Sequence, residues 1–205
     1  GLKAVSIHLN NNFGLDEEAT YREMYKFLIT NGRGHVFDNI LEKYNIYTRK
    51  NLKKCISVYR KHNPIITLHN DAEQCIERFK NFKKYIITDG NTLVQRQKAK
   101  SLGLYKSFIK IIPTYQYGLS FSKPSVNCFK MILKHEKAHP KEMIYIGDNP
   151  YKDFIEIKKI GIKTIRIMRG SFKNIILDEV YEADYSFKNL NGITRQFVRS
   201  IYENR

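Results

Sequence analysis

One stretch constrains this chain more than any other: residues 143–153, MIYIGDNPYKD. Its first four residues, Met143, Ile144, Tyr145 and Ile146, read as a short apolar strand. Gly147 breaks that strand, because a residue without Cβ can turn the backbone sharply. Asp148, Asn149 and, beyond Pro150, Asp153 follow. Pro150 suits the first turn of a helix, where its missing N–H would have no intrahelical partner. A helix is expected over 151–160, closed by Gly161, with a β-branched strand over 163–168 behind it. Open α/β sheets bind ligands at the carboxyl ends of such strands. Two acids so spaced suit a hard cation such as Mg²⁺, which takes one or two carboxylates plus substrate phosphate. Taken alone, the string also fits a plain strand-to-helix turn capped by Asp.

The rest of the chain gives this stretch its context. Residues 3–9 (KAVSIHL) read as a first, buried strand, broken by Asn10, Asn11, Asn12, Phe13 and Gly14. From there to about Asn81 the pattern is helical, with helices expected over 21–30, 34–44, 49–59 and 71–81. Thr20 to Glu23 has the form of a capping box, and Asp71 that of a helix cap. Strand–helix alternation then resumes: a strand over 85–88, a helix over 92–102, a strand over 108–112, and a helix from Pro124 to about Lys137. A last strand is expected over 183–187 and a helix over 192–202. This order predicts an α/β fold, a Rossmann-like parallel sheet flanked by helices. Residues 1–14 and 82–205 would form the core, and residues 15–81 an inserted all-α cap.

Composition narrows the function classes. The 205 residues can bury a full core, and no apolar run approaches the roughly 20 residues a membrane span needs. Cys55, Cys75 and Cys128 are odd in number and far apart, which argues against a disulfide framework or a zinc site. The expectation is a reducing, cytoplasmic setting with no membrane partner. The chain opens without Met, so it is also read as a possible part of a larger polypeptide or complex. A net charge of +16 favours an anionic partner, but the basic residues are scattered. With no basic–aromatic stripe, nucleic acid is the weakest candidate.

The loops together resemble the haloacid dehalogenase (HAD) superfamily, in the branch with a helical cap after the first strand. ITDG, with Thr88, is similar to the family's second motif, a hydroxyl at a strand end that binds the transferring phosphoryl group. KPS, with Lys123, is similar to the third, a lysine that neutralises charge. GDNPYKD, with Asp148 and Asp153, is similar to the fourth, which holds the metal. The resemblance implies a Mg²⁺-dependent phosphatase acting on a small phosphorylated molecule. It implies phosphate binding by Asn12, Thr88, Asp89, Gly90 and Lys123, and metal binding by Asp148, Asp153 and Asn10.

The family's first motif, D-x-D-x-[TV], is expected directly after the first strand. Aligned there, this chain reads His8, Leu9, Asn10, Asn11, Asn12. His8 then stands at the nucleophile position and Asn10 at the acid/base position, where an amide cannot cycle a proton as a carboxyl group does. The first reading is therefore a phosphatase-like protein with impaired catalysis and retained phosphate binding, its Mg²⁺ site weakened. The alternatives are an active phosphomonoester hydrolase with an unusual first motif, and a basic module for anions or nucleic acid.

Overall fold

The computed structural model describes residues 1–203. They fall into two units, Gly1–Ile65 and Ile66–Arg205. The first is helical: α1 (Leu2–Phe13), α2 (Glu17–Asn31), α3 (Val36–Lys43) and α4 (Arg49–Lys61). Residues 3–9, expected as the first strand, are therefore helical. The short pattern was ambiguous, since Val5, Ile7 and Leu9 alternate as in a strand while Leu2, Val5 and Leu9 recur as on a helix face. Burial decides between them: Val5 and Leu9 are fully buried, and Ile7 is 46% exposed. Leu9 packs with Met24, Ile40, Leu41 and Cys55 in the core of this unit.

The asparagine run is likewise the last turn of α1, not a loop. The helix stops at Gly14, whose φ of 68° places it in the left-handed region open to glycine, and whose N–H donates to the Asn10 carbonyl. α2 starts one turn earlier than expected. Asp16 caps it by accepting from the Ala19 N–H at 2.7 Å, and the buried Thr20 hydroxyl donates back to the Asp16 carbonyl.

The second unit alternates strand and helix: α5 (Asn70–Arg78), β1 (Tyr85–Thr88), α6 (Thr92–Ser101), β2 (Lys110–Pro113), α7 (Asn127–Glu136), β3 (Ile144–Gly147), α8 (Ile155–Lys159), β4 (Lys163–Ile167), β5 (Tyr185–Phe187) and α9 (Arg195–Glu203). All its strand pairs are parallel, and helices flank them, so the expected α/β class holds. The strands lie in two sheets rather than one: β1 with β2, and β3–β4–β5. Phe129 and Leu133 of α7 pack with Ile157 and Ile162 beneath β3. On the other side Ile165 and Ile167 of β4 pack with Val198 and Ile201 of α9.

The division between units differs from the expected one at both ends. Residues 1–14, assigned to the core, belong to the helical unit, and residues 66–81, assigned to the cap, belong to the α/β unit. Polar bonds fix α5 there. Asp71 does not cap its helix. Its Oδ2 instead accepts from Arg169 at 2.5 Å and from the Leu190 N–H at 2.9 Å. Arg78 donates to the Ile193 carbonyl at 2.8 Å.

Candidate phosphate and metal site

β1 ends at Thr88 and β3 at Gly147, and the turns that follow carry the candidate residues. Lys152 and Asp89, one from each turn, form an ion pair at 2.6 Å, so the two strand ends are held together. Between them comes the loop after β2. The Lys123 backbone N–H donates to Asp89 Oδ1 at 3.2 Å, and the buried Thr114 hydroxyl donates to the same oxygen at 2.9 Å.

Asp153 is the anchor of the cluster and is 1% exposed. Its Oδ1 accepts from Lys123 Nζ at 2.6 Å and from the Tyr145 hydroxyl at 3.2 Å. Its Oδ2 accepts from the backbone N–H groups of Asp148 and Asn149, at 3.2 and 2.9 Å. The carboxylate thus folds back over its own turn, and α8 begins only at Ile155 instead of at residue 151. Gly147 makes this possible, since a Cβ there would lie 2.7 Å from Asp153 Oδ2. Lys123 also donates to the Tyr145 hydroxyl at 3.0 Å, which fixes its ammonium at the strand ends. Burial, then the Asp153 charge, holds the Tyr145 phenol well above its usual pKa, so it stays protonated.

The acids differ sharply in what they can do. Burial works against the Asp89 carboxylate, but Lys152, the Lys123 N–H and Thr114 outweigh it and hold its pKa below the usual value. With both oxygens engaged, Asp89 positions the loop and has little left to offer a ligand. Asp153 is engaged in the same way. Asp148 is in no ion pair among the described residues, and burial followed by the nearby Asp153 charge raises its pKa above 3.8. A carboxylate so destabilised gains from a cation beside it.

Among the described residues no cluster of three or more His, Cys, Asp or Glu could hold a metal ion. A closed protein cage is therefore absent from them. Mg²⁺ does not require one, because it keeps waters and is commonly held by one or two carboxylates with substrate phosphate. Asp148 fits that role, whereas Asp153, expected as a second ligand, has its oxygens taken by four donors.

Thr88 stands at the end of β1 with its hydroxyl donating to Gln95 Oε1 at 3.0 Å. Gly90 has φ 119°, and a Cβ there would meet Gln95 Nε2 at 2.9 Å. This glycine therefore leaves room for the side chain that holds Thr88. Thr88, Asp89, Gly90, Lys123, Asp148 and Asp153 all belong to the α/β unit.

His8, Asn10 and Asn12 do not stand at a strand end. They lie on α1 of the helical unit. Asn10 Nδ2 donates to the Leu15 carbonyl at 2.8 Å, and Asn12 Nδ2 donates to the His8 carbonyl at 2.8 Å. Both bonds are local to α1 and the turn that follows it. Conversely, Tyr145, Lys152, Thr114 and Gln95 were not expected in the cluster. Lys152 sits within the GDNPYKD string and could have been suspected there. Nothing in the sequence marks the other three.

Comparison with known proteins bears on the family and the fold. The family model described as haloacid dehalogenase-like hydrolase matches residues 7–167. The glyceraldehyde 3-phosphate phosphatase of Methanocaldococcus jannaschii is 28% identical over 199 residues, covering 93% of this chain and 85% of the relative. Among solved structures, the 2-haloacid dehalogenase of Pseudomonas syringae pv. Tomato DC3000 superposes with a TM-score of 0.64 at 16% identity, over 100% of this chain and 90% of that one. A magnesium-bound HAD-hydrolase from Bacillus subtilis superposes with a TM-score of 0.62, also at 16% identity, over 94% of this chain and 89% of that one.

Proposed function

The chain belongs to the haloacid dehalogenase-like hydrolases, and from that premise we propose that its α/β unit binds the phosphoryl group of a small phosphorylated metabolite for Mg²⁺-dependent hydrolysis. The observation that carries this reading is the pairing of a fixed cation with a free acid: Lys123 is locked by Asp153 and Tyr145, while Asp148 is in no ion pair among the described residues. Phosphoryl transfer depends on positioning and charge neutralisation, and this pair supplies both. Lys123 meets the phosphate oxygens with its remaining donor capacity. The Thr88 hydroxyl, whose single proton goes to Gln95 Oε1 in this structure, would serve as a neutral donor by turning that proton to a bound phosphoryl oxygen. Asp148 would hold Mg²⁺, which when bound would offset phosphate charge and polarise a phosphoryl oxygen.

The relatives favour a substrate of about three carbons, since the Methanocaldococcus jannaschii protein is a glyceraldehyde 3-phosphate phosphatase. The attacking group is not assigned to His8 or Asn10, because both lie on α1.

Calorimetric titration of the chain with inorganic phosphate tests the reading. Binding should require Mg²⁺, and Asp148→Asn should abolish this Mg²⁺-dependent binding. Loss of one charge-assisted contact in Lys123→Met should weaken phosphate about 10- to 100-fold. Mg²⁺-independent binding that ignores both substitutions would contradict it.

A further inference from the structure

In the sequence of α4 the basic residues come as separate pairs: Arg49 with Lys50, Lys53 with Lys54, and Arg60 with Lys61. The helix gathers them onto one side. At about 100° per residue, all six fall within an arc of about 140°, along about 18 Å of helix. The only other residue in that arc is Ser57. All six cations are exposed. The opposite side of α4 is apolar. Cys55 is buried there in the core of the helical unit, with Leu52 and Val58 packed against the same cluster. The core thus fixes which way the helix faces and turns its basic side outward. The whole feature lies within the helical unit.

The charge on this side is unbalanced. α4 contains no acid. Among the described residues, none of Arg49, Lys50, Lys53, Lys54 and Arg60 forms an ion pair. Elsewhere in the same unit cations are matched: Arg22 pairs with Glu18 at 2.9 Å and Lys43 with Glu23 at 2.6 Å. The arrangement also works against the helix that carries it. Arg49 and Lys50 stand in the first turn, where the helix dipole favours acids and none is present. Arg49 and Lys53 stand four apart, as do Lys50 and Lys54, so like charges are neighbours along the helix. A merely solvated surface mixes the two signs. A surface of one sign, held at a cost to its own helix, is relieved by a polyanion laid along it.

We infer that the basic side of α4 is a docking surface for the phosphate backbone of a nucleic-acid duplex, held without regard to base sequence. Backbone contacts need lysines and arginines presented in a row, and they carry no sequence information. A straight, rigid row suits a rigid duplex. Single strands are instead gripped by aromatic rings on which bases stack, and the arc holds none. A lipid surface takes an amphipathic helix by its apolar side, and that side of α4 is used in the core. A protein partner would meet an apolar centre within its interface, and the arc offers only Ser57 among the cations. The inference does not rest on the proposed function, since α4 and the candidate phosphate and metal site belong to different units.

Fluorescence anisotropy tests this on the full chain, with labelled DNA duplexes of about 20 base pairs and salt varied from about 0.05 to 0.2 M. EDTA is present throughout, so that Mg²⁺-dependent phosphate binding cannot contribute. One variant carries Lys50→Ala, Lys53→Ala and Lys54→Ala. A control carries Lys98→Ala, Lys100→Ala and Lys106→Ala, exposed lysines of the α/β unit, and so loses the same charge. The native chain should bind two duplexes of unrelated sequence alike. The α4 variant should bind at least about tenfold more weakly, and its slope of log affinity against log salt should be shallower by about 3. The control should bind like the native chain. Alanine favours a helix at least as well as lysine, so the α4 variant should keep its fold, which circular dichroism checks. Lys→Gln at the same three positions should reproduce the loss. No duplex binding by the native chain would overturn the inference, as would an equal loss in the control or an unchanged salt slope in the α4 variant. Tighter binding of a single strand than of the duplex would also overturn it. So would binding to phosphatidylserine vesicles that depends on the three α4 lysines when no duplex is bound.

Discussion

Lys123 and Asp153 are the residues on which the site depends. Their side chains are 10% and 1% exposed, and their ion pair spans 2.6 Å. Breaking a buried pair from one side leaves an uncompensated charge, so Lys123→Met should destabilise the α/β unit by about 3–5 kcal/mol. A urea midpoint that falls with an unchanged slope would register it. Asp148 behaves in the opposite way. Its pKa is raised on folding, so its charged form is disfavoured in the folded state. That penalty is absent below its unfolded pKa, near 3.9, and complete above its folded pKa. Asp148→Asn should therefore be more stable than the native chain at pH 7 without Mg²⁺, with the advantage fading as pH falls toward 4. A stability profile over pH 3–7 checks this. Thr88 and Asp148 stand at a strand end and a glycine turn that mark them locally, whereas Lys123, in the loop after β2, was singled out only by the resemblance of KPS to the family's third motif. That Asp89 and Asp153 serve as clamps was not, because their donors come from residues up to 63 positions away.

At the scale of elements, the instructive case is α1. A seven-residue apolar string can satisfy a period of two and a period near 3.6 together, and KAVSIHL does so. The partner that settles the choice, the packed face made with Met24, Ile40 and Cys55, lies beyond any local window. Leu9 is fully buried in that face. Leu9→Ala should cost the helical unit about 2–5 kcal/mol, with loss of amide protection in α1 to α4 and none in β3 to β5. Hydrogen exchange resolved by segment would show whether the loss stops at the boundary. The later alternation of strand and helix was legible because each piece had its own punctuation, as at Gly103, Pro113 and Gly161. The division into two sheets was not, because pairing between distant strands leaves no local mark.

Across the whole molecule, the two units differ in construction. The helical unit closes its own core, and the α/β unit gathers every phosphate and metal candidate that stands at a strand end. The net charge of +16 favours anions over the surface at large, so weak salt-sensitive phosphate binding alone would say little. The decisive comparison is phosphate affinity with Mg²⁺ at 0.15 M salt in three chains: native, Lys123→Met, and the double variant His8→Ala with Asn10→Ala. The site at the ends of β1 and β3 requires Lys123→Met to lose about 10- to 100-fold, and the double variant to bind like the native chain. A double variant that loses phosphate while Lys123→Met keeps it would place the site on α1 and contradict the account.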